Sequence, residues 1–332
     1  MADDPTTPGV PARARASAPP AAGGPARSGL AAGLGAFLIW GVLPLYFPLL
    51  EPAGPVEIIA HRVVWSLGFC VLLLLVTRSW RAFVTVLRSP RTVAVLGLAA
   101  VLLAVNWLVY VYGVLNDHVV DAALGYFVNP LVTVALAVLV LRERLRRVQW
   151  VALGFGAAAV VVITVGYGRL PWIALVLAAS FGTYGLIKNR VGRSVAALPG
   201  FAVETVVLAP LALGYLLVIG ARGTGTFGAH GTWNSLALAS AGVVTTVPLL
   251  LFNSAARRLP LSVVGLIQYV TPVLQFVIGV TVGHERMPVA RWVGFGLVWV
   301  ALAILTVDGL RAARRAPRAA PRPGREGSAV SA

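Results

Sequence analysis

Ten stretches of about 20 apolar residues run through this chain, separated by short polar breaks. A helix of that length spans roughly 30 Å, the thickness of the hydrocarbon core of a bilayer. With 58% hydrophobic and 11% charged residues, the chain has too much apolar surface to bury in a water-soluble core. We predict an all-α integral membrane protein with ten transmembrane helices, at approximately residues 29–50, 56–77, 92–115, 119–141, 148–167, 170–189, 199–220, 233–254, 261–283 and 290–309.

One segment of the sequence occurs twice: a polar cluster, a proline, an apolar run and a glutamate beside an arginine. When the two copies are aligned, Pro130 corresponds to Pro272 and Glu143 corresponds to Glu285. The first and sixth apolar stretches also resemble each other, which extends the repeat to five helices. We therefore predict two five-helix repeats, 29–167 and 170–309. Because each repeat has an odd number of helices, the second is expected to be inverted relative to the first.

The two ends of the chain, residues 1–28 and 310–332, show no hydrophobic periodicity, and we expect both to be disordered. Lys and Arg concentrate in these tails and in alternate loops. The loops on the opposite side hold four, namely Arg169, Arg222, Arg286 and Arg291. By the positive-inside rule, both termini are predicted to be cytoplasmic, in the inner membrane of a bacterium.

The sequence lacks the motifs of an enzyme, with no phosphate-binding loop, no zinc-binding His-Glu pattern and no nucleophile elbow. The single Cys70 and the four scattered His residues predict no metal site, and we expect no cofactor. The net charge of +16 does not indicate a nucleic-acid partner, because the charges lie in short loops and tails. The expected partners are the lipid bilayer and a small-molecule solute.

Polar and aromatic residues at membrane depth are costly unless they face a cavity or a partner. In the duplicated segment they recur at i, i+3 and i+7, which is one face of a helix. Helix-to-helix hydrogen bonding is the alternative for the amide at position 106. The predicted substrate pathway consists of Trp40, Asn106, Trp107, Tyr110, Tyr126, Asn129, Thr133, Tyr184, Gln268, Thr271 and Gln275.

Four ionisable residues inside the apolar stretches are candidates for charge coupling or gating. Glu57, His61 and Arg62 open the second stretch, and their alternatives are a structural Glu57/His61 pair and an Arg62 that reaches the headgroups. Glu204 lies near the start of the seventh stretch. It could carry protons or balance a solute charge, or it could be stabilised by the helix N-terminus.

Pro130 and Pro272 each remove a backbone hydrogen bond at matched positions, so we predict hinges there, with ordinary packing kinks as the alternative. Glu143 and Glu285 each lie beside an arginine, and we interpret them as members of ion pairs that fix the helix ends. The fifth and tenth helices carry Gly pairs that suit close packing, namely Gly154, Gly156, Gly294 and Gly296. These two helices are expected to be scaffold, with a homodimer face as a further alternative.

The duplicated proline, apolar run and Glu-Arg resemble the EamA domain of the drug/metabolite transporter superfamily. Four strings resemble its RarD branch, beginning at Trp40, Glu57, Asn106 and Gly125. The resemblance covers residues 30–309 and implies ten helices, cytoplasmic termini and export or exchange of small metabolites through a central cavity. It also implies roles for residues within the matching strings, namely Glu57, His61, Arg62, Asn106, Trp107, Tyr126 and Asn129.

We expect a permease or exporter of a small organic metabolite or drug that works by alternating access of one half against the other. Without an ATP-binding element, its energy source is expected to be a gradient. The alternatives are an uncoupled facilitator and a non-transporting membrane subunit.

Overall fold

A computed structural model describes residues 24–141, 145–191, 194–259 and 261–315. Within these ranges the chain forms α-helices and no strand. The helices are α1 (Gly24–Tyr46), α2 (Pro55–Val76), α3 (Trp80–Leu87), α4 (Pro90–Leu115), α5 (Val119–Leu141), α6 (Arg147–Tyr167), α7 (Trp172–Val191), α8 (Ala197–Ala221), α9 (Gly231–Arg258), α10 (Leu261–Ile267), α11 (Val270–Thr281) and α12 (Val289–Arg315). A short 3₁₀ helix, Phe47–Leu50, continues α1.

In the described part of the chain, 9 helical spans are long and apolar enough to cross a membrane. One of these, Val263–Thr281, includes most of α10 and all of α11. Helix α7 has a shorter apolar stretch, Trp172–Lys188. The protein is therefore an all-α, multi-pass membrane protein, and the count of ten spans remains a prediction.

Three helical stretches differ from the sequence expectation. Helix α3 forms where only a loop was expected, because its apolar face buries Phe83. Helix α1 begins at Gly24 and α12 continues to Arg315, so these ends of the expected disordered tails are helical. The remaining tail residues lie outside the described ranges, as does Glu143.

Eight helices contact one another in a closed ring, in the order α1, α9, α2, α8, α4, α7, α5, α11 and back to α1. Helices α6 and α12 pair beside this ring, against α5. Every step around the ring joins a helix of the first repeat to one of the second. The ring has the symmetry of the repeat. The contact of α1 with α9 corresponds to that of α7 with α4, and the contact of α1 with α11 corresponds to that of α7 with α5.

Equivalent helices of the two repeats run antiparallel where they pack together. Glu57, at the start of α2, binds Thr226 beyond the end of α8. Val120, at the start of α5, donates to Glu285 beyond the end of α11. Likewise Arg146 before α6 forms a 2.7 Å ion pair with Asp308 near the end of α12. These pairings confirm that the second repeat is inverted.

The ring divides into two symmetry-related groups at the seams where α2 meets α8 and α5 meets α11. Group A comprises α1, α2, α9, α10 and α11, and group B comprises α4, α5, α7 and α8. Each group mixes helices of both repeats. Pulling the two sequence repeats apart as rigid bodies would break every contact around the ring.

Glycines allow close approach at several of these contacts. Gly156 lies against Leu131, and Gly294 lies against Ile163, as the expectation of close packing requires. A Cβ added at Gly154 or Gly296 would have no described atom within 4 Å, so the expectation of close helix packing is wrong for these two glycines. The tightest approach in group A is at Gly242, where an added Cβ would lie 2.6 Å from the carbonyl oxygen of Trp65.

We predict that Gly242→Ala destabilises the protein by about 1–3 kcal/mol, because the new methyl group meets rigid backbone of α2. Thermal unfolding in detergent measures the effect. The control is Gly296→Ala, where a Cβ meets nothing within 4 Å. Equal melting temperatures for the Gly242 variant and the wild type would contradict the contact between α2 and α9.

Candidate functional site

Arg62 of α2 lies inside the bundle, 4% exposed. Its Nε donates to Thr245 Oγ1 of α9 at 2.9 Å. The guanidinium carbon lies 4.5 Å from the ring centroid of Trp107 in α4 and 5.3 Å from that of Phe47. The Nη1 atom is buried and has no hydrogen-bond partner in the described part of the chain. The alternative in which Arg62 reaches the headgroups does not hold, because its side chain turns inward onto two aromatic faces.

Aromatic rings connect the surroundings of Arg62 with the opposite end of the bundle. Phe47 contacts Tyr110 at 5.9 Å between centroids, and Tyr110 contacts Tyr126 at 5.7 Å. From there the contacts continue through Phe181 to Tyr184, at 6.0 and 5.9 Å. We call this series the aromatic chain. It places three of the predicted pathway residues on one continuous wall.

Asn106 uses its amide to hold helices of group B together. Its Nδ2 donates to the carbonyl of Leu177 at 3.1 Å and to Ser180 Oγ at 3.0 Å, both on α7. Its Oδ1 accepts from the Tyr126 hydroxyl at 3.2 Å. This is the helix-to-helix bonding considered as the alternative, and it fixes the position of the Tyr126 ring in the aromatic chain.

Gln275 and Thr271 fasten α11 to α1 within group A. Thr271 Oγ1 donates to the carbonyl of Phe37 at 2.8 Å, and Gln275 Nε2 donates to the carbonyl of Trp40 at 3.1 Å. Gln275 Nε2 also donates to the Tyr110 hydroxyl at 2.9 Å, which joins group A to group B. Gln275 Oε1 is buried without a partner.

The other residues of the duplicated stripes occupy less central places. Asn129 Oδ1 is buried without a partner, beside Gly182. Thr133 is exposed and donates to the backbone carbonyl of Asn129. Gln268 lies at the break between α10 and α11. The bonds of Thr133 to Asn129 and of Gln268 to Thr271 are therefore local ones, within about one turn of the chain.

Glu204 of α8 is 1% exposed and pairs with α7. Lys188 Nζ donates to its Oε1 at 2.6 Å, and the Tyr184 hydroxyl donates to its Oε2 at 3.4 Å. Since α8 begins at Ala197, Glu204 lies about two turns inside the helix. The expected stabilisation by the helix N-terminus is therefore wrong, because that effect is confined to the first turn.

Glu57 holds the loop that follows α8. Its Oε1 accepts from the backbone N–H and the hydroxyl of Thr226, at 2.7 and 2.9 Å. His61 Nε2 is 3.9 Å from the same oxygen, too far for a hydrogen bond, and the imidazole stacks on Phe227 instead. Glu57 and His61 thus form the expected i, i+4 contact at ion-pair distance without a hydrogen bond, and the contacts of Glu57 fit a structural role.

The two prolines have different local structures. Pro130 lies inside the continuous helix α5. Pro272 follows the turn at Gln268 and Tyr269, where α10 ends and α11 begins. A proline cannot donate to the carbonyl four residues earlier, and that carbonyl belongs to Gln268. The Gln268 carbonyl accepts from Thr271 N–H instead, which tightens the turn.

Contacts between group A and group B gather near the start of α2, which we call the Glu57 end of the bundle. They include the Arg62–Trp107 contact, the Gln275–Tyr110 bond, and a 3.0 Å bond from the Val120 N–H to Glu285 Oε1. We call the opposite end, near the last turn of α7, the Lys188 end. The Glu204–Lys188 pair there lies within group B.

Sequence reasoning missed a second buried arginine at the Glu57 end. Arg291, 4% exposed, donates to Asp121 Oδ1 at 2.6 Å and lies 3.5 Å from Glu285 Oε2. It was counted only as a loop charge, and Asp121 is too distant in sequence to reveal the pairing. Lys188 was likewise counted only as a loop charge. Phe47 and Thr245 position Arg62, and neither residue carries a signal in the sequence.

The described residues contain no group of three or more His, Cys, Asp or Glu side chains that could hold a metal ion.

The geometry defines a polytopic membrane protein whose buried polar and aromatic groups come from both halves of an inverted repeat. Two segments, residues 27–165 and 170–307, match the EamA-like transporter family. The chain belongs to this family. It is a membrane transporter and lies in the family's RarD branch.

Relatives agree with this assignment. Protein RarD of Streptomyces exfoliatus is 55% identical over 289 residues, which cover 87% of this chain and 91% of that protein. An uncharacterized transporter of Pseudomonas aeruginosa is 42% identical over 295 residues, 88% of this chain and 97% of that protein. A protein crystal structure with 20% identity has a TM-score of 0.57 over 86% of this chain and 99% of its own, which shows the fold alone.

We predict that Glu285 makes the stability of the protein depend on pH. Burial raises the pKa of this loop carboxyl to about 7 from its ordinary value of 4.5. The folded state then binds more protons than the unfolded state between these values, so stability is highest below the ordinary pKa and falls as pH rises through 7. Glu285→Gln removes this contribution and should flatten the profile.

Melting temperatures in detergent between pH 5 and 8 test this prediction. The control is Glu51→Gln, an exposed carboxylate at the same end of the bundle. Parallel profiles for the wild type and the Glu285 variant would contradict the assignment.

Proposed function

We propose that this transporter moves a small organic solute across the bacterial inner membrane by alternating access and that a gradient drives it. The observation that carries the proposal is the aromatic chain, which extends between the buried Arg62 and the ion pair of the buried Glu204 with the partly exposed Lys188. Solutes can move along such a wall only if the helices around it separate at one end at a time.

The moving units follow from the contacts rather than from the sequence repeats. The initial expectation was that one repeat rocks against the other, but that motion would break every contact around the ring. Groups A and B meet at two seams, and the hydrogen bonds of Asn106 and Thr271 lie within one group each. We infer that group A moves against group B.

The positive-inside pattern predicts that the Glu57 end faces the periplasm and the Lys188 end the cytoplasm. In this orientation the contacts of Arg62, Gln275 and Glu285 between the groups close the periplasmic end. Opening that end would require these contacts to separate. The arrangement of polar contacts therefore favours a conformation that opens toward the cytoplasm.

Glu204 is the candidate for coupling, since protonation would release its ion pair with Lys188. The same ion pair favours a second candidate function, an uncoupled facilitator in which Glu204 and Lys188 only join α8 to α7. These two functions differ in their response to a pH gradient.

We predict that Glu204→Gln abolishes the dependence of transport on a pH gradient, because glutamine cannot release or bind the proton. The measurement uses inside-out vesicles that contain the protein, a panel of amino acids, nucleosides, organic acids and amphenicol drugs, and mass spectrometry of the accumulated compounds.

The double variant Glu204→Gln/Lys188→Gln controls for the lysine that the single variant leaves unpaired. Transport that returns in the double variant without gradient dependence supports coupling through Glu204. Transport that keeps its gradient dependence in either variant removes Glu204 from the coupling and leaves the ion pair a structural role.

A further inference from the structure

Two arginines are buried in the described part of the chain, and their surroundings differ. Arg291 lies between Asp121 and Glu285, so its charge is balanced inside the protein. Arg62 is equally buried, at 4% exposure, but none of the described carboxylates comes within 4.0 Å of its nitrogen atoms. It has a neutral hydroxyl and two aromatic faces instead.

A buried charge without a counter-charge is strongly unfavourable, and cation–π contacts offset only part of that cost. The fold therefore maintains a cation that a suitable anion would stabilise. Arg62 Nη1, which has no hydrogen-bond partner among the described residues, is a donor available to such an anion.

From this contrast we propose that Arg62 binds a carboxylate of the transported solute and that the aromatic chain contacts the solute's apolar body. This inference rests on the proposed transport function and specifies its substrate class.

The position of Arg62 fits a site that both groups share. The side chain belongs to group A and lies against Trp107 of group B. Further along the wall, Gln275 Oε1 and Asn129 Oδ1 are buried acceptors that have no hydrogen-bond partner among the described residues. They can accept hydrogen bonds from hydroxyl groups on the body of a solute.

The charge of the site favours a monoanion. One guanidinium balances one carboxylate and can bind it with two parallel hydrogen bonds. A phosphate dianion would leave a negative charge against the neutral side chains of Phe47, Trp107 and Thr245. A zwitterionic amino acid would also bring an ammonium group. None of the described groups in contact with Arg62 is a carboxylate that could balance this second positive charge. The preferred solute is thus a monocarboxylate with an apolar or aromatic body.

Four probes with the same phenyl body separate these possibilities: benzoate, benzamide, phenyl phosphate and phenylalanine. Binding to the full-length protein in nanodiscs is followed by calorimetry, and uptake is followed in proteoliposomes. We expect benzoate to bind at least about tenfold more tightly than the other three, as a charged hydrogen bond made by Arg62 requires.

Three variants test the role of Arg62 itself. Arg62→Met should weaken benzoate binding by about tenfold or more and leave the weak binding of benzamide unchanged. Arg62→Lys keeps the charge and loses the paired donors, so we expect an intermediate affinity. The control is Arg222→Met, which removes an exposed cation at the same end and should change nothing. Circular dichroism and melting temperature establish that each variant is folded.

The outcomes separate this inference from the proposed function. Equal affinities for benzoate and benzamide, tighter binding of phenyl phosphate or phenylalanine, or unchanged benzoate binding in folded Arg62→Met would overturn the carboxylate site. Uptake of any probe in those cases would leave the transport function intact. Benzoate binding that depends on Arg62 but is followed by no uptake supports the site and contradicts transport. Failure of all four probes to bind overturns the inference.

Discussion

Every polar group that this chain carries into the bilayer needs a partner within the protein, because the hydrocarbon offers none. Helices satisfy the backbone, and the polar side chains are satisfied by neighbouring helices. Asn106 bonds to α7, Gln275 to α1 and α4, and Glu204 to Lys188. These bonds, together with glycine contacts such as that between Gly242 and Trp65, determine which helices are neighbours in the ring.

The same constraint draws attention to the buried polar groups that lack a hydrogen-bond partner. Buried polar groups in proteins nearly always have partners, so those without one require an explanation. Among the described residues, Arg62, Gln275 and Asn129 each retain a buried atom without a hydrogen-bond partner. Gln275 and Asn129 were expected to line the pathway, and Arg62 was a candidate for charge coupling or gating. The same bundle balances Arg291 with two carboxylates. Arg291 Nε also lacks a hydrogen-bond partner among the described residues, so what distinguishes Arg62 from Arg291 is the missing counter-charge, as a site for an anionic solute would require.

The sequence predicted the membrane class and the inverted repeat, because both depend on residue type and spacing along the chain. Apolar runs of fixed length predict helices directly, and the copies around Pro130 and Pro272 reveal the duplication. Helix α3 was missed because eight residues with one apolar face give a weak local signal.

The candidate site was predicted less completely, because its contacts join distant parts of the chain. The pathway residues Tyr110 and Tyr126 could be selected by their polarity at membrane depth. Their connection through Phe47 and Phe181 could not be predicted, because a phenylalanine in an apolar stretch does not stand out in a sequence of this composition. The partners of Arg62 and Glu204 were likewise fixed only by tertiary packing, and the expected headgroup contact and helix-end stabilisation were wrong for that reason.

The central claim is that groups A and B must separate at the Glu57 end during transport. Cross-linking across the Glu57–Thr226 contact, where the side-chain oxygens are 2.9 Å apart, tests it most directly. A Glu57→Cys/Thr226→Cys protein in proteoliposomes is joined by a short, cleavable thiol reagent, with each single variant as a control; the native Cys70 is buried. We expect cross-linking to stop transport and cleavage of the link to restore it. Full transport by completely cross-linked protein would contradict opening at this end.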